Sequence, residues 1–122
     1  MIFYGALRVF PVDEDDSQMI DIGKFNSEMW EKYPHINFKS LGHKFEDDRF
    51  SYLIGKLGER PEINEEITEV LVPDEGWEEY SCPFNRADMK KLYDKIWAGG
   101  PLDFEIETID GDVFNVMIHR KK

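Results

Sequence analysis

The sequence predicts an α+β domain in which two helices pack on one face of an antiparallel sheet. Three observations carry this. Runs of β-branched and aromatic residues, many with two-residue alternation, recur along the chain between turn signals. Only two segments repeat their apolar residues at helical spacing. The strands come in consecutive groups rather than alternating with helices, which points to antiparallel pairing. The predicted order is β-α-β-β-β-β-α-β-β, so two β-α-β-β-like halves would share one sheet. With 122 residues the chain is read as a single domain, 1–122, large enough to bury a core without disulfides or a metal.

Residues 2–10 are rich in strand formers and stop at Pro11. The acidic run at 13–16 lacks the Gly and Glu spacing of an EF-hand loop and reads as a solvated turn. A helix is expected to open near Asp16 or Ser17 and to end before Pro34. Ile22, Phe25, Met29 and Tyr33 form its apolar stripe, with Trp30 at the edge of that face. Residues 36–45 and 49–57 read as strands around the polar turn Glu46-Asp47-Asp48. In the second of them Phe50, Tyr52 and Ile54 share one face, and Ser51, Leu53 and Gly55 the other. A loop around Pro61 leads to a strand at Ile67–Val72, which Pro73 ends. Asp74-Glu75-Gly76 then turns the chain into a strand at Trp77–Cys82.

The second helix has a strong start signal. Asn85 is a good N-cap, and Asp88 sits in the first turn, where an acid suits the helix dipole. Met89, Leu92, Tyr93, Ile96 and Trp97 follow helical spacing and are assigned to the core, and Gly99-Gly100-Pro101 ends the helix. The last two strands flank Asp110-Gly111-Asp112. A three-residue loop there pairs Phe104 with Ile118, Ile106 with Val116 and Thr108 with Phe114, keeping apolar partners together. Glu105 then faces Met117, and Glu107 faces Asn115. The basic end, His119 to Lys122, is expected to fray.

Composition excludes several functions. A net charge of −11 repels phosphate backbones and anionic membrane surfaces, and no basic patch interleaved with aromatics offsets it, so neither nucleic acid nor membrane is an expected partner. No apolar run reaches the roughly 20 residues of a membrane span, and the N-terminus does not read as a signal peptide. The single Cys82 suits a reducing, cytoplasmic setting. Phosphate-loop, dinucleotide-binding and nucleophile-elbow motifs are lacking, and His35, His43 and His119 do not have metal-ligand spacing. No cofactor and no metal site are expected.

One residue stands out against this background. Alternation through Leu102–Ile109 puts Phe104 and Ile106 on one face and Glu105 and Glu107 on the other. On a wet surface the glutamates would mean little. On a concave face lined by aromatics, Glu105 would be placed to hold a cation or to move a proton.

Four segments resemble the GyrI-like family, the effector-binding fold also found at the C-terminus of AraC-type and MerR-type multidrug regulators. They are Ile22 to Tyr33 with Met29-Trp30; Phe50-Ser51-Tyr52-Leu53-Ile54-Gly55; Val72-Pro73-Asp74-Glu75-Gly76; and Leu92 to Trp97 followed by Phe104-Glu105. The chain departs from the family pattern in a Pro-to-Gly turn one residue longer, in Glu78 where Tyr is common, and in a short stretch after the second helix. No DNA-binding segment precedes the fold, so the resemblance is to a standalone member. It implies a ligand cleft on the sheet face opposite the helices, with the Phe-Glu glutamate deep inside. In that reading the chain binds hydrophobic cationic small molecules. Glu105 is the counter-ion, Tyr52 and Trp30 are walls, Met117 is an adaptable filler and Trp77 a further wall. Two alternatives stand beside it: a hydrolase with Glu105 as general base and Tyr52 as hydrogen-bond donor, and an acidic module of gyrase-inhibitor type that docks on a basic protein. The receptor reading requires the Glu105 carboxylate to be shielded by aromatic rings on the face the helices leave bare.

Overall fold

The computed structural model describes residues 1–12 and 17–121; the acidic run 13–16, the side chains of residues 17–19 and Lys122 lie outside the described residues. The elements in chain order are β1 (Ile2–Pro11), α1 (Ser17–Lys32), β2 (Lys39–His43), β3 (Arg49–Leu57), β4 (Thr68–Leu71), β5 (Trp77–Pro83), α2 (Arg86–Ala98), β6 (Leu102–Asp110) and β7 (Val113–Arg120). The strands form one open sheet in the order β4-β1-β3-β2-β6-β7-β5, and every pairing is antiparallel. The architecture is α+β, as the grouping of strands predicts. No helix among the described residues is long and apolar enough to cross a membrane.

Two cross-strand rows define the helix-bearing face. One runs Arg8–Tyr52–Gly42–Glu105–Ile118–Glu78, the other Ala6–Ile54–Ser40–Glu107–Val116–Tyr80. The helix α1 lays Phe25, Met29 and Tyr33 on Ala6, Phe10, Tyr52 and Ile54 at one end of this face. At the other end α2 packs Ile96 on Leu102, Phe114, Val116 and Ile118. Each fully buried side chain of this kind contributes roughly 1.5–3 kcal/mol. Trp97 departs from its core assignment: it is 43% exposed and stands edge-on to Phe45, ring centroids 5.5 Å apart, because its neighbour Ile96 points into the core.

The Asn85 cap behaves as its sequence position predicts, its side-chain oxygen accepting from the Asp88 amide at 2.9 Å. Asn85→Ala is expected to cost about 1 kcal/mol, read as a lower urea midpoint with an unchanged slope.

Among the described residues the opposite face carries no helix, yet Phe3, Leu41, Leu53 and Ile106 on it are fully buried. The chain connection explains why. The short link from Leu71 to Trp77 joins β4 to β5, the two outermost strands of the sheet. Six interstrand spacings would put those edges roughly 29 Å apart in a flat sheet. The six steps from Leu71 to Trp77 reach at most roughly 21 Å. The sheet therefore curls around its helix-free face, and Val72, Val70, Trp77 and Met117 close over the interior. A hydrogen bond from Trp77 Nε1 to the Pro73 carbonyl, 2.8 Å, pins the link.

The β6–β7 register differs from the expected one. Glu105 pairs with Ile118, Ile106 with Met117, Glu107 with Val116 and Thr108 with Asn115; the turn is the two residues Gly111 and Asp112. Gly111 takes φ 61, as the first central residue of a type II′ hairpin turn requires. A bulge between Leu102 and Phe104 absorbs the offset at the far end. The apolar-to-apolar rule fails here because both faces of β7 are buried, Phe114, Val116 and Ile118 under α2 and Met117 in the curled interior.

Candidate functional site

This register decides where the acids go. Glu105 and Glu107 sit at the middle of the helix-bearing face, on rows that run from the strands under α1 to the strands under α2. Glu105 does not lie on the helix-free side, where the cleft is expected; the centre of that side is filled by Phe3, Leu41, Leu53 and Ile106. Glu105 is 8% exposed, so it is shielded from water, but between the helices.

Local sequence makes room for it. A Cβ on Gly42 would stand 2.9 Å from Glu105 Oε1 and 3.0 Å from its Cγ, so any larger residue in β2 would press on the carboxylate. Phe45, 3.2 Å from that same Cβ position, forms a wall and stacks on Phe50 with ring centroids 6.0 Å apart. Tyr52 is buried; its hydroxyl accepts from Asn26 Nδ2 at 3.1 Å and lies beside Ser40. From α2 the Tyr93 hydroxyl is buried close to both carboxylates but makes no hydrogen bond of regular geometry.

The electrostatics follow from burial. Loss of water, then the nearby Glu107 charge, pushes the Glu105 carboxyl well above the ordinary carboxylate range, and Tyr93 only partly offsets this. Loss of water pushes the half-buried Glu107 up to about 7, and Tyr93 partly offsets this. Burial first, and then the charges of the glutamates, raise both phenols, so Tyr52 and Tyr93 keep their protons and can donate. Among the described residues no Lys, Arg or His nitrogen forms an ion pair with either glutamate. The site is thus a carboxylate pair without a counter-ion, flanked by two phenols and an aromatic wall. Such a pair holds a proton near neutrality and would release it to an incoming cation.

Of the residues singled out in the sequence, the structure brings Glu105 and Tyr52 together. It places the other three elsewhere. Trp30 stands on the outer side of α1, 40% exposed. Met117 and Trp77 lie in the curled interior with Phe104 and Ile106, on the opposite side of the sheet. The expected register set Met117 opposite Glu105, whereas Met117 pairs with Ile106. Sequence reasoning missed Tyr93, Ser40, Asn26, Gly42 and Phe45. For Tyr93 there was a signal: it carries the polar atom in an otherwise apolar stripe on α2. No group of three His, Cys, Asp or Glu side chains among the described residues could hold a metal ion. In comparisons with family models, curated proteins and solved structures, nothing matches this chain.

Proposed function

We propose that the chain is a small-molecule-binding protein of GyrI-like type, whose ligand is a hydrophobic cation taken up between α1 and α2 by Glu105 and Glu107, on the helix-bearing face rather than on the bare face that the resemblance implies. The observation that carries this is the acid pair of buried Glu105 and half-buried Glu107, with no cation opposite it among the described residues. Burying such charge is costly unless it is paired. A ligand that brings positive charge with apolar surface relieves that cost, and the Phe45 and tyrosine rings add cation–π attraction of roughly 0.5–2 kcal/mol per contact. The likeness of the two halves is supported by the strand order, which reads β2-β3-β1 outward on one side of the centre and β6-β7-β5 on the other. The lone Cys82 fits the reducing, cytoplasmic setting of such a receptor.

A thermal-shift series tests the proposal, using aryltrimethylammonium cations against their uncharged aryl-tert-butyl isosteres. A cation at 100-fold over its Kd is expected to add about 2.7 kcal/mol of stability. Glu105→Gln should remove most of that gain, and the neutral isosteres should give little. Binding should strengthen from pH 6 to pH 8, as the pair loses its proton. Shifts equal for charged and neutral ligands would refute the receptor reading. The Tyr93 hydroxyl beside a carboxylate that titrates near neutrality favours hydrolysis as the second reading, and consumption of an ester or strained-ring ligand, lost in Glu105→Gln, would promote it.

A further inference from the structure

A different surface has the features of a peptide-binding edge. The strand β4 pairs with Ile2–Gly5 only, so the outer edge of β1 from Ala6 to Pro11 has no strand beside it among the described residues. Which amides face outward follows from the ladders. The Gly58 amide bonds to the Ile2 carbonyl and the Val12 amide to the Asp48 carbonyl, so even-numbered residues of β1 bond towards β3. The Val72 amide bonds to the Met1 carbonyl, on the β4 side. The β1–β3 register is unbroken, so Leu7 and Val9 direct their N–H and C=O groups at the open edge. Both side chains are exposed as well, at 41% and 55%.

Cavities flank this edge on both faces of the sheet, and Leu7 lines both. On the helix side a cavity of about 310 Å³ is bounded by Phe25 and Met29 and carries Glu28, Glu65 and Glu66 against Arg8 and Lys32. On the curled side a cavity of about 500 Å³ is bounded by Leu7, Val70, Leu71 and Phe104 and carries Glu69 and Asp103 against Lys44. Burial, and then the Lys44 charge, holds the His43 imidazole in that second cavity below its ordinary pKa, so it adds no positive charge near neutrality. In the first cavity Arg8 pairs with Glu28 and Lys32 with Glu65, which leaves Glu66 as the excess carboxylate; in the second, Arg60 pairs with Glu69 at 3.7 Å from outside, and Asp103 stands against Lys44.

The geometry points to strand addition at β1: an extended peptide that alternates apolar and basic side chains continues the line of β4 along Ala6–Pro11. Its backbone bonds to Leu7 and Val9. The apolar side chains enter the second cavity against Leu7, Val70, Leu71 and Phe104, and the alternate, basic set lies along Phe25 and Met29 with its charge at Glu66. Main-chain bonds supply affinity and the two cavities read alternate side chains. An unpaired, apolar strand edge is otherwise a liability, and Pro11 blunts only its end. A second copy of this chain fits less well. The symmetric register that uses both outward amides pairs Leu7 with Val9 and sets Arg8 against Arg8, and each copy carries a net charge of −11. None of these residues belongs to the carboxylate pair, so this surface stands apart from the proposed ligand site.

The test uses amide hydrogen exchange of the whole chain with a capped Lys-Val-Arg-Val-Arg-Val-Lys peptide as probe. At saturation the Leu7 and Val9 amides are expected to exchange at least tenfold more slowly. A peptide with Glu at every basic position should bind at least tenfold more weakly. Val9→Pro removes one outward donor while leaving every bond to β3, and should abolish the protection. Should that variant misfold, Glu66→Lys with Glu69→Lys is expected to weaken the basic peptide at least tenfold. Unprotected Leu7 and Val9 amides at millimolar basic peptide would overturn the inference. So would equal binding of the two peptides, an unchanged affinity in the charge-reversed variant, or protection that appears with protein concentration alone, which would assign the edge to a second copy.

Discussion

Gly55→Ala is expected to prevent stable folding. Gly55 lies directly opposite Gly5 where β1 crosses β3. An added Cβ would fall 1.8 Å from the Tyr4 carbonyl oxygen and 2.5 Å from the Gly5 Cα, both backbone atoms of the neighbouring strand. No rotamer change can relieve such a clash; β1 itself must move. That strand joins β4 to the rest of the sheet and carries Phe3, Ala6 and Phe10 into the two cores on either side. The cost should exceed about 4 kcal/mol, a large part of the 5–15 kcal/mol by which a domain of this size is stable. Gly23→Ala is the matched control. Its Cβ meets nothing within 4 Å among the described residues, and the position is helical, so it should stabilise by about 0.5–1 kcal/mol. Circular dichroism of the two variants against urea separates them. A Gly55→Ala protein with the urea midpoint of the wild type would contradict the close strand approach.

The second large effect is a dependence of stability on pH that runs opposite to ordinary acid denaturation. Glu107 titrates near 7 in the folded protein and Glu105 higher than its ordinary value, whereas both return to about 4.5 on unfolding. The folded state thus holds protons that the unfolded chain has released. The stabilising contribution is complete below about pH 4.5 and is lost as pH rises through 7. For Glu107 the difference between about 7 and 4.5 corresponds to at most about 3 kcal/mol. His43, held neutral by burial, works the other way below its ordinary pKa. The readout is therefore the difference between wild type and Glu107→Gln. Urea midpoints at pH 5 and pH 8 should show the variant gaining on the wild type as pH rises, with a flatter profile overall. A difference that does not change with pH would mean that the two carboxylates are solvated.

The helices were legible because their signals are local. Asn85, Asp88 and the Gly99-Gly100-Pro101 stop lie within a few residues of the helix they bound. The strands were legible for the same reason, to within about two or three residues at most ends. What the sequence left open was pairing and curvature, which depend on residues far apart. The hairpin register was misread because alternation identifies a buried face only when the other face is wet, and β7 is covered on both. The curl escaped notice because it depends on a short link joining strands that only the sheet order shows to be its two edges. Glu105 was found because a carboxylate in an apolar strand is visible in one line of sequence. Tyr93, 12 positions earlier on a different element, became its neighbour only through the packing of α2.

The strand order also constrains how the chain folds. The hairpins β2–β3 and β6–β7 close over short turns, but a single ladder, Ser40–His43 against Phe104–Glu107, stitches the first four strands to the last three. Those partners are more than sixty positions apart, as are those of β1 and β4, so these two ladders pay the largest loop-closure entropies in the sheet and are natural late steps. Glu105 and Glu107 are on the ladder between β2 and β6. In alkaline solution two anions must be dehydrated as the seam forms, and refolding should slow there even while both hairpins assemble at their usual rates.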